Sequence, residues 1–186
     1  MRHKNSTDVT KRATDMIQRR ILFDRRIIML TGEIDEDSSR DIIESLMALD
    51  CLKKAPIMMR INSIGGHIDQ GLAIIDTINM LRSPVHTAIC GEACSMATLV
   101  ALYGKKRLMT QNSAWMGHEM SRWGYDYYSK EKYRFKHEEE VWLEMRKMYE
   151  AKTKLTKKDM KLIDHGELWL TAQQCLEKGI IDRIGG

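Results

Sequence analysis

Two glycine-bearing junctions and one histidine supply the residue types from which acyl-transfer chemistry is built. In Gly91-Glu92-Ala93-Cys94-Ser95-Met96-Ala97 a serine stands where an apolar strand gives way to an apolar helix. A hydroxyl at such a place lies near unpaired N–H groups and the positive end of a helix dipole, which together stabilise a tetrahedral oxyanion. The plainer reading is a helix cap or a small packing residue. Cys94 is a rival nucleophile, but adjacent helical residues point about 100° apart, so only one of the two faces a given site. In Asn62-Ser63-Ile64-Gly65-Gly66 the paired glycines allow positive φ and leave backbone N–H groups open to an anion, or else form an ordinary tight turn. His118 closes the run Ala114–His118, at a strand end from which a base can reach a site. The other histidines are placed less well: His3 in a basic tail, His67 after the glycine pair, His86 in a strand, His137 on a long helix and His165 at a helix end. There is no HExxH, and Cys90 with Cys94 lacks matching ligands elsewhere, so neither a metal nor another cofactor is expected.

These residues need elements to hold them. A β-rich run, Ile27–Leu30, stops at Thr31-Gly32, and a capping box from Ser38 to Asp41 starts a helix to about Lys53. Ile57–Ile61 forms a second strand and leads into the glycine turn. Ile68, Leu72, Ile75, Ile78 and Leu81 mark a helix that Ser83-Pro84 ends. Val85–Cys90 reads as a strand, and Gly91 opens an apolar helix from about Cys94 to Tyr103. Lys106–Met109 and Ala114–His118 are two further strands. A charged amphipathic helix follows from about Ser129 to Lys152, with Tyr133, His137, Val141, Met145 and Met148 on one stripe. Capping boxes at Thr156 to Asp159 and Thr171 to Gln174 start short helices, with Gly166 and Gly179 as their stops. Strands alternating with helices indicate an α/β protein.

Composition sets the outer limits. At 186 residues with 43% hydrophobic and 30% charged, the chain fits one globular domain with its own core. The net charge of +4 is unevenly placed. Residues 1–26 hold eight Lys/Arg against three acids, which makes that segment +5 and the remainder −1. A general nucleic-acid surface is therefore argued against. The start MRHKNSTDVTKR lacks an apolar leader, no run of about 18 apolar residues occurs, and the four cysteines form no CxxC pair. A reducing, cytoplasmic compartment is expected. The division expected is a basic segment over 1–26 and one domain over 27–186.

Taken together, the junctions resemble the ClpP family of caseinolytic serine peptidases over roughly residues 19–185. The glycine turn matches the family's Asn-Ser-Pro-Gly-Gly, and Gly71-Leu72-Ala73-Ile74 its next helix. Gly91-Glu92-Ala93-Cys94-Ser95-Met96 matches the nucleophile motif, and Met116-Gly117-His118 the strand before the general base. Leu170-Thr171-Ala172 and Lys178-Gly179-Ile180-Ile181-Asp182 match the C-terminal pattern. The resemblance implies a ClpP/crotonase-type fold of stacked strand-strand-helix units, with a protruding strand-helix handle at about 119–152. It implies a triad of Ser95, His118 and an acid, an oxyanion hole from the N–H groups of Gly66 and Met96, and an extended substrate along Gly65, His67, Ile68, Glu119 and Met120. It also implies polypeptide substrates, a homo-heptameric ring or stacked rings, and an AAA+ ATPase unfoldase as partner.

Three departures stand out. The acid position holds Glu167 where the family has Asp, and Asp164 lies close by. Ile64 replaces the usual Pro of the turn. The segment after His118 is bulky, with Trp123, Tyr125, Tyr127 and Tyr128 in place of a Gly-rich strand, which makes a single ring easier to expect than the family's double one. The function expected is a serine endopeptidase acting on unfolded or loosely folded chains. The alternatives are a virus capsid-maturation peptidase of the same fold working without an ATPase, and an inactive structural ring subunit. The crotonase relatives, which do not need Ser95 and His118 together, fit less well.

Overall fold

The computed structural model describes residue 14, residues 16–120 and residues 128–185, with backbone alone for 128–134. Helix α1 covers residues 16–24, inside the basic segment, and a turn at Arg25-Arg26 feeds β1 (Ile27–Ile34). Then follow α2 (Glu36–Leu52), β2 (Ile57–Gly66), α3 (Ile68–Met80), β3 (Val85–Cys94) and α4 (Met96–Leu102). Strands β4 (Arg107–Met109) and β5 (Ala114–His118) lead to the long α5 (Tyr128–Lys152). The chain ends with α6 (Lys157–His165), β6 (Glu167–Thr171), α7 (Ala172–Glu177) and β7 (Arg183–Ile184). The aromatic run expected to make the strand of the handle, Trp123 to Tyr127, lies outside the described residues.

Among the described residues, seven strands form one sheet that branches at β3. Strands β1, β2 and β3 run parallel in order. The first half of β3 pairs with β4 through Thr87–Ile89, and β4 pairs with β7. The second half leaves that plane and pairs with β5 through Glu92–Cys94. Antiparallel β6 then pairs with β5. The branch brings the end of β3 beside the end of β5, and so brings Ser95 into the neighbourhood of His118.

Period-two burial along β2 and β1 turns Ile57, Met59, Ile61, Ile28 and Leu30 toward the helices. There they meet Ile42, Leu46 and Leu49 of α2 and Ile74, Ile75 and Ile78 of α3. Every residue of α4 is buried, so this short helix is held by packing more than by propensity. Burying each such Leu or Ile stabilises the fold by about 1.5–3 kcal/mol.

Several boundaries differ from expectation, for reasons of pairing. Strand β1 continues past Thr31-Gly32 because Glu33 and Ile34 pair with Gly65 and Gly66. Strand β3 continues past Cys90 because β5 receives its second half, so α4 starts at Met96 rather than Cys94. Helix α2 is capped by Asp35 and Ser38, not by Ser38 and Asp41: the Ser38 N–H donates to Asp35 Oδ1 at 2.8 Å. The capping boxes at Thr156 and Thr171 form as expected. Strands β6 and β7 and helix α1 are additions. Among the described side chains of α5, which do not include Tyr133, the buried ones are Met145 and Tyr149, with Val141 and Met148 only partly covered and His137 exposed.

Candidate active site

Ser95 occupies the one-residue joint between β3 and α4, with φ 52° and ψ −127°. Among the described residues Arg26 is the other non-glycine with positive φ. A side chain in such a conformation costs of order 1–3 kcal/mol and persists only where its surroundings over-determine it. Here they do. The Ser95 N–H donates to the Met116 carbonyl at 2.8 Å. The Ser95 carbonyl accepts from the Thr98 N–H at 3.0 Å and from Thr98 Oγ1 at 2.5 Å. The Ser95 side chain makes no capping hydrogen bond, so the cap reading does not hold. Its hydroxyl is left to the cleft.

The glycine pair, which the structure places at the end of β2 and not in a turn, presses against this joint. A Cβ on Gly65 would stand 2.7 Å from Ser95 Cβ and 2.9 Å from the Met96 nitrogen, and one on Gly66 would collide with the Ile34 backbone. Both have positive φ, 87° and 152°. Only glycine permits this approach. Asn62 and Ser63 repair the polar groups that the irregular ladder frees: Asn62 Oδ1 accepts from the Glu92 N–H at 3.1 Å, and Ser63 Oγ donates to the Gly32 carbonyl at 2.6 Å. Residue types that suggested a turn thus seam β2 to both neighbours.

A cleft of about 500 Å³ opens over the joint, shared by Ser95, His118, Gly66 and Met96. Of the expected substrate contacts, His67, Ile68, Glu119 and Met120 line it, and Gly65 packs against Ser95 and Met96. The Met96 N–H, in the first turn of α4, has no intrahelical acceptor. Carboxylates of Glu33, Asp69, Glu119 and Glu138 line the same cleft, and no Lys or Arg does so among the described residues.

The two candidate acids are placed differently. Glu167 stands directly opposite His118 in the β5–β6 ladder. Opposed residues share a face with Cβ atoms about 4.5–5.5 Å apart. Ser95, His118 and Glu167 have no mutual hydrogen bonds; Glu167 Oε2 instead accepts from Trp169 Nε1 at 2.7 Å. Asp164 is engaged by Arg146 through Oδ2, while its Oδ1 is buried without a partner.

Cys94 is the weaker nucleophile on physical grounds. It is 4% exposed, and burial, together with the charges of Glu92 and Glu167, pushes its thiol up to about 12. The reactive thiolate is thereby suppressed. Two residues absent from the sequence reading join the site: Thr98, hidden in an apolar run, and Tyr149, which lines the cleft from α5 and bonds Thr98 at 2.6 Å. Tyr149 stands four residues after Met145, a signal the stripe ending at Met148 passed over. No group of three His, Cys, Asp or Glu among the described residues could hold a metal ion.

The chain is similar in sequence to subunits of a known protease. The ATP-dependent Clp protease proteolytic subunit of Streptococcus agalactiae is 41% identical over 106 residues, covering 55% of this chain and 54% of that protein. The subunit of the same name from Streptococcus thermophilus is 42% identical over 106 residues, with the same coverage. The chain spans about half the length of the curated relatives it matches. The sequence model of the family described as Clp protease matches far more of the chain, residues 8–186. With nearly the whole chain matched, and the two junctions meeting at one cleft, this protein belongs to the Clp protease family.

Proposed function

We propose that the protein is a serine endopeptidase that cuts extended polypeptide with Ser95 as nucleophile. The observation that carries the reading is the strained joint: a serine held at φ 52° beside a glycine pair, sharing a cleft with a histidine at a strand end. In the reaction Ser95 Oγ attacks the scissile carbonyl carbon while His118 takes the hydroxyl proton. The oxygen of the tetrahedral intermediate is met by the N–H groups of Gly66 and Met96. His118 then gives its proton to the leaving amine as the C–N bond breaks. Water, deprotonated by the same imidazole, releases the acyl group. Glu167 orients the imidazole, and its cross-strand position favours it over Asp164, whose carboxylate is engaged by Arg146. Substrate lies along His67-Ile68 on one side and Glu119-Met120 on the other, with Gly65 packed against the nucleophile.

At the level of assembly, the reading is a ring, heptameric by family likeness, served by an AAA+ ATPase. The names of the streptococcal relatives, which are ATP-dependent, support the second part. No helix among the described residues is long and apolar enough to cross a membrane. All four cysteines are free, which suits a reducing, cytoplasmic location.

The test is a fluorophosphonate probe. Wild-type protein is expected to label and Ser95→Ala to remain unlabelled; a folded wild type that does not label removes the peptidase reading. Glu167→Ala is expected to lower peptide cleavage by about 10²-fold or more, as losing the orienting acid of a triad does. If Asp164→Ala alone abolishes cleavage, the acid is Asp164. Sedimentation of the purified protein, with and without an ATPase, measures the ring.

A further inference from the structure

Tyr149 is 1% exposed and Thr98 fully buried, yet each carries a hydroxyl, and the two oxygens lie 2.6 Å apart. The direction of their bond follows from proton count. Thr98 Oγ1 has one hydrogen, and the Ser95 carbonyl, 2.5 Å away, can only accept it. The Thr98 hydrogen is therefore spent on Ser95, and Tyr149 must be the donor to Thr98. Burial pushes the phenol up to about 12, so it keeps its proton across the neutral range. The ring of Tyr149 also meets Trp115 edge-on, with centroids 6.1 Å apart and planes at 81°. Trp115 belongs to β5, the strand that ends in His118. One side chain of α5 thus touches the element that bears the nucleophile and the element that bears the base.

Building on the reading of Ser95 as nucleophile, we infer that Tyr149 is a positioning residue, whose phenol holds Thr98 in the rotamer that pins the Ser95 carbonyl and so sets the angle at which Ser95 Oγ enters the cleft. The strained Ser95 backbone needs such over-determination. Without the phenol, Thr98 Oγ1 loses the donor that fixes its rotamer. The joint then samples backbone angles that aim the hydroxyl elsewhere. Substrate still binds, because His67, Ile68, Glu119 and Met120 are untouched.

The experiment compares Tyr149→Phe, Thr98→Val, Thr98→Ser and the Phe/Val double variant by peptide kinetics, probe-labelling rate and thermal midpoint. Tyr149→Phe keeps the ring against Trp115, and the expected result is a fall in kcat and in labelling rate of about 10- to 100-fold with little change in KM. Thr98→Val is expected to fall by a similar factor, and the double variant to be no worse than the poorer single, because both remove one chain of bonds. Thr98→Ser retains the hydroxyl and recovers most of the rate. A Tyr149→Phe protein with wild-type kcat and labelling rate overturns the inference, as does a double variant whose losses multiply. Losses that follow the thermal midpoint across the set overturn it too. Ser95→Ala without labelling beside an unimpaired Tyr149→Phe removes this inference and leaves the peptidase reading; an unlabelled wild type removes both.

Discussion

Cys94 and Ser95 are neighbours in sequence with opposite fates. Cys94 is the last residue of β3 and turns inward, where burial and two carboxylates keep its thiol protonated. Ser95 sits on the joint, with positive φ, and faces the cleft. At pH 8 a thiol of pKa about 12 is thiolate in roughly one molecule in 10⁴. Iodoacetamide applied to the folded protein at pH 8 is therefore expected to alkylate the exposed Cys51 and spare Cys94, as read by peptide mapping. Modification of Cys94 at a rate matching that of Cys51 would contradict the buried placement. Of the two adjacent residues, Ser95 lines the cleft and Cys94 does not.

At the scale of elements, the end of the sheet opposite the cleft is latched by polar groups. Arg26 donates to the carbonyls of Leu49, Ala55 and Pro56, and Asp50 of α2 reaches the loop that enters β3. Asp50 Oδ1 accepts from the Ser83 N–H at 2.7 Å, and Oδ2 from Arg82 at 3.3 Å. Bonds from Ser83 first, and from Arg82, hold the carboxyl at about 2 against the opposing effect of burial. Its folded pKa lies below its ordinary 3.8, so the latch stabilises the fold above that value and is lost as pH falls toward 2. Asp50→Asn is expected to lower the urea midpoint at pH 7, and the gap from wild type to narrow between about pH 4 and pH 2. A gap that does not change with pH would refute the linkage. The latch fixes where α2 ends and β3 begins, at the base of the strand whose other end presents Ser95.

For the whole molecule, charge is segregated between tail and site. The first 26 residues carry +5, while the cleft is lined by carboxylates. We propose that in a ring the +5 of residues 1–26 adds from copy to copy. Deleting residues 1–18 is expected to change the entry of charged peptides while leaving Ser95 labelling intact. The change should shrink with salt, since screening reaches about 8 Å at physiological ionic strength. Loss of labelling in a folded, assembled deletion would place those residues in the site instead.

The residues at the two junctions carried the resemblance to a peptidase family, while each junction taken alone also fitted a tight turn or a cap. Gly65-Gly66 after an apolar run, and Ser95 between an apolar strand and an apolar helix, were legible because residue type and spacing are short-range signals, while the positive φ at these positions is held by Ile34, Met96 and Met116 from other segments. His118 at a strand end was legible for the same reason. The tertiary structure supplied the placement of Glu167, which stands opposite His118 only through the register of β5 with β6, a strand that the sequence pattern did not mark. It also decided that β3 divides between two partners, and that Tyr149, 51 residues from Thr98 along the chain, closes the hydrogen-bond chain to Ser95. Such contacts are made by packing between distant segments, and a periodicity read along one segment carries no record of them.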